Sequence, residues 1–251
     1  MRPVQLSIVT VVKNQLADLR LTIRSIRNQT VRHAIEHVIV DGASCDGTIE
    51  FLERFDDRNF RWISEPDRGV YDAMNKGIRI AKGKWVLFLN AGDILIAPSI
   101  GEHILPYLDS DIKTIYFAIK FGAHPTSCVT RHVSYSKERR SIDFYHQGTL
   151  IQRSFLLSHG GYKTYFKVIS DCIFNEMYSL PASHLIVNTP VTFMNNRGMS
   201  SRPNFRTWVE YLYLDIIIRP LSFSLKTRLV ASFSYQAIKS LSIFRKRRSP
   251  N

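Results

Sequence analysis

Four aspartates follow short apolar stretches of the sequence, where the chain leaves predicted strands. They are Asp41, Asp46, Asp67 and Asp93. Carboxylate oxygens bind hard divalent cations, and such a cation can neutralise the charge that develops on a departing diphosphate. The pattern predicts a metal-assisted site for a nucleoside diphosphate. Asp and Ser are also preferred in turns and at helix starts, so a purely structural role is an equal alternative for residues 41–48.

Two familiar phosphate-binding patterns do not occur in the sequence. It contains no Gly-x-x-x-x-Gly-Lys-Ser/Thr loop and no Gly-x-Gly-x-x-Gly after a predicted strand. Because these glycine-rich loops hold the phosphates in ordinary ATPases and dinucleotide-binding enzymes, both classes lose their main support.

The elements that must position the aspartates are visible as alternating hydrophobic patterns. Strands are predicted at 6–12, 37–41, 60–64 and 85–89, and helices at 16–29, 49–55 and 70–82. This alternation predicts an α/β fold with a doubly wound parallel sheet. Ligands bind at the carboxyl ends of the strands in such sheets, which is where the four aspartates fall.

The second half of the chain has a weaker pattern. Antiparallel strands are predicted at 114–121 and 127–134, short helices at 154–159 and 171–179, and late strands at 185–187 and 191–194. This half adds strands and helices to the sheet without a repeat that would indicate a solenoid.

Positive charge is concentrated at the C-terminal end. The 251 residues carry a formal net charge of +13, and residues from Arg202 onward hold ten Lys/Arg against two Asp/Glu. An apolar residue recurs at every fourth position, at Leu225, Leu229, Phe233, Ala237 and Leu241. This predicts an amphipathic helix lying on an anionic membrane surface, with an ordinary packed helix as the alternative. The uneven charge argues against a general nucleic-acid binder.

Location follows from what the sequence lacks. The three cysteines are widely spaced, the first residues make a poor signal peptide, and no apolar run is long enough to span a bilayer. We therefore expect a cytoplasmic protein that is peripheral on the inner face of the cell membrane.

Four sequence blocks together resemble glycosyltransferase family 2. They are SIVTVVKN at 7–14, VDGASCDGT at 40–48, SEPDRGVYDAMNKG at 64–77 and FLNAGD at 88–93. The resemblance is greatest to members that assemble colanic acid, capsule and lipopolysaccharide. It implies a GT-A fold, a Rossmann-like and mostly parallel sheet flanked by helices. The implied domain spans 1–201, with a nucleotide-sugar-binding half at 1–97 and an acceptor half at 98–201, followed by a basic amphipathic helical tail at 202–251.

The resemblance also implies roles for individual residues. Asp41 would accept hydrogen bonds from the base, and Asp72, Asn75 and Lys76 would approach the sugar or its phosphates. The full set implied to bind the nucleotide sugar is Thr10, Val11, Asn14, Asp41, Ser44, Asp46, Asp67, Asp72, Asn75, Lys76, Asn90 and Arg197.

Asp93 matches the last acid of the family's metal-binding motif and would bind Mg²⁺ or Mn²⁺. Gly92 replaces the acid that usually precedes it. A single carboxylate would then hold the cation, so binding should be weak without the donor diphosphate.

Catalysis and acceptor binding are implied for the second half. Asp171 matches the general base of an inverting transfer. It could also cap the helix that follows, and the two roles are compatible. His146 and Gln147 match positions on the acceptor side. The implied enzyme is a hexosyl-type glycosyltransferase that moves sugar from a nucleoside-diphosphate donor to a saccharide acceptor linked to polyprenyl. Two alternatives remain: a nucleotidyltransferase that makes sugar nucleotides, and a non-catalytic basic module that binds nucleic acid.

Overall fold

A computed structural model describes residues 4–30, 34–55, 57–96, 100–107, 111–136, 141–178, 183–196 and 205–218. The strands are β1 (Leu6–Val12), β2 (Ile35–Asp41), β3 (Phe60–Ser64), β4 (Trp85–Phe88), β5 (Ile94–Leu95), β6 (Thr114–His124), β7 (Ser127–Arg131), β8 (Ser134–Ser136), β9 (Ser141–Asp143), β10 (Thr149–Gln152) and β11 (His184–Asn195). The helices are α1 (Leu16–Arg27), α2 (Thr48–Glu53), α3 (Val70–Ile80), α4 (Ile100–Ile104), α5 (Arg153–Ser158), α6 (Ser170–Tyr178) and α7 (Phe205–Tyr213). Short 3-10 turns lie at Leu105–Tyr107 and His146–Gly148, and a π-turn at Leu214–Ile218.

The predicted α/β fold is confirmed. A central sheet has the strand order β3-β2-β1-β4-β10-β6-β11-β5, with β7 paired to β6. The first four strands are parallel, as the alternating pattern predicts. The rest of the sheet is mixed, because β10 runs antiparallel to both of its neighbours and β5 runs antiparallel to β11.

The two late strands predicted at 185–187 and 191–194 form one strand, β11. Its register against β6 shifts on either side of Pro190. Proline has no N–H to donate to a sheet, so an irregularity there is expected.

The central strands β1, β2 and β4 are buried along their whole length, which explains their apolar stretches. Neighbouring residues of one strand enter opposite clusters: Ile8 packs on one side and Val9 on the other. α3 covers the second face, and Gly77 lets it approach closely, because a Cβ there would collide with the Val9 side chain.

α7 packs its buried side beside the loop that precedes α6. The π-turn that follows places Leu214 in a small cluster with Phe166, Ile169 and Ile173. The predicted amphipathic stripe from Leu225 to Leu241 lies outside the described residues. Within the described part of the chain, no helix has the length and apolarity to cross a membrane.

Candidate functional site

A cavity of about 420 Å³ opens at the carboxyl edge of the parallel strands. It lies between the ends of β1 and β4, the first turn of α3, and the segments around residues 146, 167 and 195. Six of the predicted site residues line it: Val11, Asp67, Asn90, Asp93, His146 and Gln147. The edge predicted from the strand pattern is therefore the edge that carries the cavity.

A histidine and a carboxylate form a pair at the cavity wall. His146 Nδ1 lies 3.1 Å from Asp171 Oδ2, and His146 Nε2 lies 3.1 Å from the Asn90 amide nitrogen. Because an amide N–H can only donate, this arrangement assigns the imidazole proton to Nδ1, which donates to Asp171. His146 lines the cavity, whereas Asp171 lies behind it, against a small internal space.

Asp171 is held by more than the histidine. The Tyr71 hydroxyl lies 2.7 Å from Asp171 Oδ1 and 2.7 Å from the Val168 carbonyl oxygen, so two acceptors share its proton. Burial by itself raises the pKa of Asp171, but the hydrogen bond from His146, the positive charge of that ring when it is protonated, and the Tyr71 hydrogen bond outweigh burial and leave the pKa lowered. Asp171 is therefore ionised at neutral pH.

Asp93 is nearly enclosed, with 4% of its surface exposed. Its Oδ1 accepts a hydrogen bond from Asn195 N at 2.9 Å, and its Oδ2 accepts one from Gln147 Nε2 at 3.2 Å. Burial raises the pKa of this carboxyl to about 6.

The residues beside Asp93 fit a hard divalent cation. The side-chain oxygens of Asn90 and Gln147 are buried and have no hydrogen-bond partner among the described residues. Amide and carboxylate oxygens are the ligands that Mg²⁺ and Mn²⁺ accept. The described part of the chain contains no group of three or more His, Cys, Asp or Glu arranged for a metal. A cation here would thus have one carboxylate and would need further oxygens from a diphosphate.

Asp41, which the sequence predicts to contact the base, is a buried side chain at the end of β2. Asp41 has no exposed surface, and its carboxylate accepts hydrogen bonds from Ser44 N at 2.9 Å, Ser64 Oγ at 2.6 Å and the Ser44 hydroxyl. These bonds hold the loop after β2 against the end of β3. Asp41 and Ser44 shape the site rather than face the cavity.

Asn14 and Asp46 also tie loops together instead of lining the cavity. Asn14 adopts a left-handed backbone with φ of +54°, and its side-chain oxygen accepts Cys45 N at 2.8 Å. Asp46 accepts Leu16 N at 2.9 Å and Thr48 Oγ1 at 2.6 Å. The Thr48 hydrogen bond, followed by that of Leu16 N, lowers the pKa of Asp46. The start of α1 is thereby fixed to the start of α2.

Thr10 lies in the interior and not in the cavity. Its hydroxyl is 2.8 Å from Nε2 of the buried His37 on β2. Burial lowers the pKa of His37 to about 3, so this histidine is neutral and the pair is a structural hydrogen bond.

The three polar residues of α3 predicted to approach the sugar are bound to neighbouring loops. Asn75 donates to Tyr162 O and accepts from Tyr162 N, both at 2.8 Å. Lys76 donates to Pro66 O at 2.7 Å and pairs with Glu65 at 2.9 Å. Asp72 accepts Arg68 N at 3.0 Å. None of the three side chains lines the cavity, and their contact with the sugar stays a prediction. Arg197 lies outside the described residues.

Several cavity residues were not predicted. They include Lys13, Asp18, Tyr71, Lys167 and Asn195. Lys13 and Tyr71 occur within the sequence blocks that carry the resemblance, so that signal was present. Asn195 begins the Gly/Ser-containing stretch 195–200, which could cover a diphosphate or be a plain linker, whereas Lys167 stands in a stretch without a motif.

Comparisons with known proteins agree with this geometry. Residues 7–174 match the model of a family described as "Glycosyl transferase family 2". A PGL/p-HBAD biosynthesis glycosyltransferase of Mycobacterium bovis is 32% identical over 193 residues, which cover 70% of this chain and 70% of the relative. An uncharacterised glycosyltransferase of Mycobacterium tuberculosis is 39% identical over 94 residues, which cover 38% of this chain and span 36% of the length of that relative.

Solved structures show the same fold at low sequence identity. Staphylococcus aureus TarS 1–349 in complex with UDP superimposes with a TM-score of 0.66 at 14% identity, covering 91% of this chain and 70% of TarS 1–349. The mannosyltransferase PcManGT of Pyrobaculum calidifontis, solved with GDP-Man and Mn²⁺, has a TM-score of 0.60 at 19% identity and covers 84% of this chain and 61% of its own. These likenesses confirm the GT-A fold. Together with the family match over the cavity-forming segments, they show that the chain belongs to glycosyl transferase family 2.

Proposed function

We propose that this chain is an inverting glycosyltransferase that takes its sugar from a nucleoside-diphosphate donor. The observation that carries the proposal is the His146–Asp171 pair in the wall of the cavity at the carboxyl edge of the sheet. A base beside a cavity that can hold a donor is what attack by an acceptor hydroxyl requires. The nucleotide ligands named for TarS and PcManGT support the choice of donor.

In the proposed reaction, the acceptor hydroxyl replaces the Asn90 amide at His146 Nε2. The hydroxyl proton moves to Nε2 as the acceptor oxygen forms a bond to the anomeric carbon. The bond from that carbon to the diphosphate breaks, and its electron pair leaves with the diphosphate. Asp171, ionised and bonded to Nδ1–H, stabilises the imidazolium and so acts as the base through His146. Displacement from the opposite side inverts the anomeric centre.

The negative charge on the departing diphosphate would be neutralised by lysine side chains and by a bound cation. Lys13 and Lys167 line the cavity. Asp93, with the free side-chain oxygens of Asn90 and Gln147, would hold Mg²⁺ or Mn²⁺. When bound, such a cation supplies Lewis-acid neutralisation of the leaving phosphate oxygens.

For the acceptor we propose a saccharide linked to a polyprenyl lipid, used in surface polysaccharide synthesis such as that of capsule or lipopolysaccharide. The names of a PGL/p-HBAD biosynthesis relative and of a Bacillus subtilis relative, the putative glycosyltransferase EpsH, support a product of this class. Residues 219–251 carry eight Lys/Arg and no Asp/Glu, which supports attachment to the anionic inner face of the cell membrane.

A thermal-shift panel of sugar nucleotides, with and without Mn²⁺, tests the donor assignment. A ligand that binds the folded state raises the melting temperature, so one donor class should do so selectively, and more strongly with the cation. Nucleoside triphosphates, which carry no glycosyl group on their phosphates, serve as the control. If they match or exceed every sugar nucleotide, the glycosyltransferase proposal fails and a nucleotidyltransferase is favoured.

A further inference from the structure

α7 presents an apolar surface to solvent on the side opposite its buried residues. Its buried positions are Thr207 and Glu210, followed by Leu214 in the π-turn. The exposed apolar side chains are Phe205, Trp208, Val209, Tyr213 and Ile217. Phe205 is 73% exposed and Ile217 is 61% exposed, so these side chains lie on the surface and are not part of the core.

The exposed side chains form a stripe along the helix. Their spacing of three or four residues places them on one face, which continues from α7 into the π-turn. Tyr165, 65% exposed, is connected to the stripe through Phe166, whose ring centroid lies 4.5 Å from that of Tyr165 and 5.3 Å from that of Tyr213. We call Phe205, Val209, Tyr213 and Ile217, with Trp208 and Tyr165, the apolar face. Three of its six members are Trp or Tyr, the side chains that favour the boundary between lipid and water.

The charge of the adjoining chain indicates what this face meets. The 33 residues from 219 to 251 hold eight Lys/Arg and no Asp/Glu. Basic residues next to an exposed aromatic helix complement an anionic lipid surface, where apolar side chains enter the headgroup boundary and cations pair with the headgroups.

We propose that the apolar face of α7 binds the surface of an anionic lipid bilayer. α7 would lie flat on the membrane with Phe205, Val209 and Ile217 in the headgroup boundary.

The same helix is joined to the cavity by hydrogen bonds. The buried Glu210 carboxylate accepts Lys167 N at 2.9 Å and Val168 N at 2.8 Å. Lys167 and Val168 line the cavity, and the Val168 carbonyl oxygen lies 2.7 Å from the Tyr71 hydroxyl beside Asp171. A bilayer on the outer face of α7 would therefore be separated from the cavity wall by the width of one helix, about 10 Å. This last step rests on the proposed function, because it places the site within reach of an acceptor anchored in lipid.

The test is co-sedimentation of the full chain with vesicles of phosphatidylcholine, with or without phosphatidylglycerol, at low and high salt. The variant is Phe205→Ser with Val209→Ser, and the matched control is Val129→Ser with Leu157→Ser, which removes exposed apolar side chains elsewhere. Circular dichroism verifies that both are folded. We expect binding that needs the anionic lipid, weakens with salt, and falls about tenfold or more in the α7 variant but not in the control.

Fluorescence of Trp208 supplies a second readout. Trp208 is 39% exposed, whereas Trp85 is fully buried and Trp62, on β3, is half-buried. Vesicles should shift the emission of the full chain to shorter wavelength and reduce quenching by acrylamide. A Trp208→Phe variant should remove this change.

Three results would overturn the proposal. The wild type could fail to bind anionic vesicles at low salt, or the α7 variant could bind as well as the control. Deleting residues 219–251 could expose Trp208 to quencher in the absence of lipid, which would mean that the tail covers the apolar face. No sugar nucleotide is used, so a chain that binds vesicles but transfers no sugar would refute the proposed function and leave this inference standing.

Discussion

The Asp93 carboxylate lies between the Asn195 amide nitrogen and the Gln147 side chain, almost out of contact with water. Its pKa is raised to about 6, above the value of 3.8 for a solvated aspartate. The folded state therefore binds a proton on the Asp93 carboxylate more tightly than the unfolded state does. The resulting stability is complete below pH 3.8 and is lost as the pH rises through about 6.

Asp93→Asn should stabilise the metal-free protein at alkaline pH. The amide cannot ionise, and Gln147 can turn its unpartnered oxygen towards it. The rise of this pKa from 3.8 to about 6 corresponds to about 3 kcal/mol at most, and the difference in stability from wild type should close as the pH falls towards 4. Melting temperatures across this pH range measure it.

Asp46→Asn is the control for this prediction, since its carboxylate has a lowered pKa. The contribution of the ionised Asp46 carboxylate to stability is present at neutral pH and lost as the pH falls, so the variant should be less stable than wild type at pH 7.

Added Mn²⁺ with a bound donor should stabilise the wild type but not Asp93→Asn. Equal stabilisation of both would place the cation elsewhere.

Asp171→Asn and His146→Gln should each lower turnover by about 10²–10⁴-fold, the usual effect of losing a general base. The double variant should be no slower than either single one, because the two side chains act as a unit. Donor affinity, measured by calorimetry, should be unchanged. Tyr71→Phe is the matched control and should lose less activity, since the Tyr71 hydroxyl supports Asp171 and the Val168 carbonyl oxygen but accepts no proton in the reaction. Near-normal turnover of His146→Gln beside an inactive Asp171→Asn would show that the carboxylate accepts the proton directly.

Helix α3 lines the cavity with its first turn and also holds the loop that contains Tyr162. Asn75 holds both backbone groups of Tyr162, and Gly161 has a left-handed φ of +67° immediately before it. A Cβ at Gly161 would lie 2.5 Å from the Asn75 side-chain oxygen. α3 is thus fastened to the turn that follows α5.

Asn75→Ala should lower stability and leave donor affinity unchanged. It deprives two backbone groups of their partner, at a cost of about 1–3 kcal/mol, which is a fall of several degrees in melting temperature for a domain of this size. Arg79→Ala, an exposed change on the same helix, is the control. A weaker donor affinity with unchanged stability would instead indicate that Asn75 contacts the donor sugar.

At the scale of the whole molecule, the two predicted halves are interleaved. β10, from the second half, pairs with β4 of the first, and β5 pairs with β11. Two strand pairs therefore join residues before position 97 to residues after it. Either half by itself would have unpaired strand edges and exposed apolar surface.

A fragment of residues 1–97 should not fold by itself, because it would lack β10 and the side chains that cover Trp85 and Leu87. Circular dichroism and amide chemical-shift dispersion would measure this. A chain that ends at residue 218 is the control and should keep the cooperative melting of the full protein. A fragment of 1–97 with a sharp thermal transition would establish two independent domains.

The sequence by itself determined the first four strands and the three helices between them. Buried parallel strands are continuously apolar and amphipathic helices repeat every few residues, so both patterns are local. The family blocks and the ligand-binding edge follow from the same stretch of chain. Val11, Asp67, Asn90, Asp93, His146 and Gln147 accordingly lie where the sequence placed them, around the cavity.

Only the tertiary structure decided which polar side chains face that cavity. The direction of Asp41, buried under Ser44 and Ser64, depends on a loop fixed by left-handed residues at Asn14 and Ala43. Asp171 meets Tyr71 across 100 positions of sequence. Periodicity carries no information about such contacts, because they form when separate segments pack, and the same packing makes the second half of the sheet mixed.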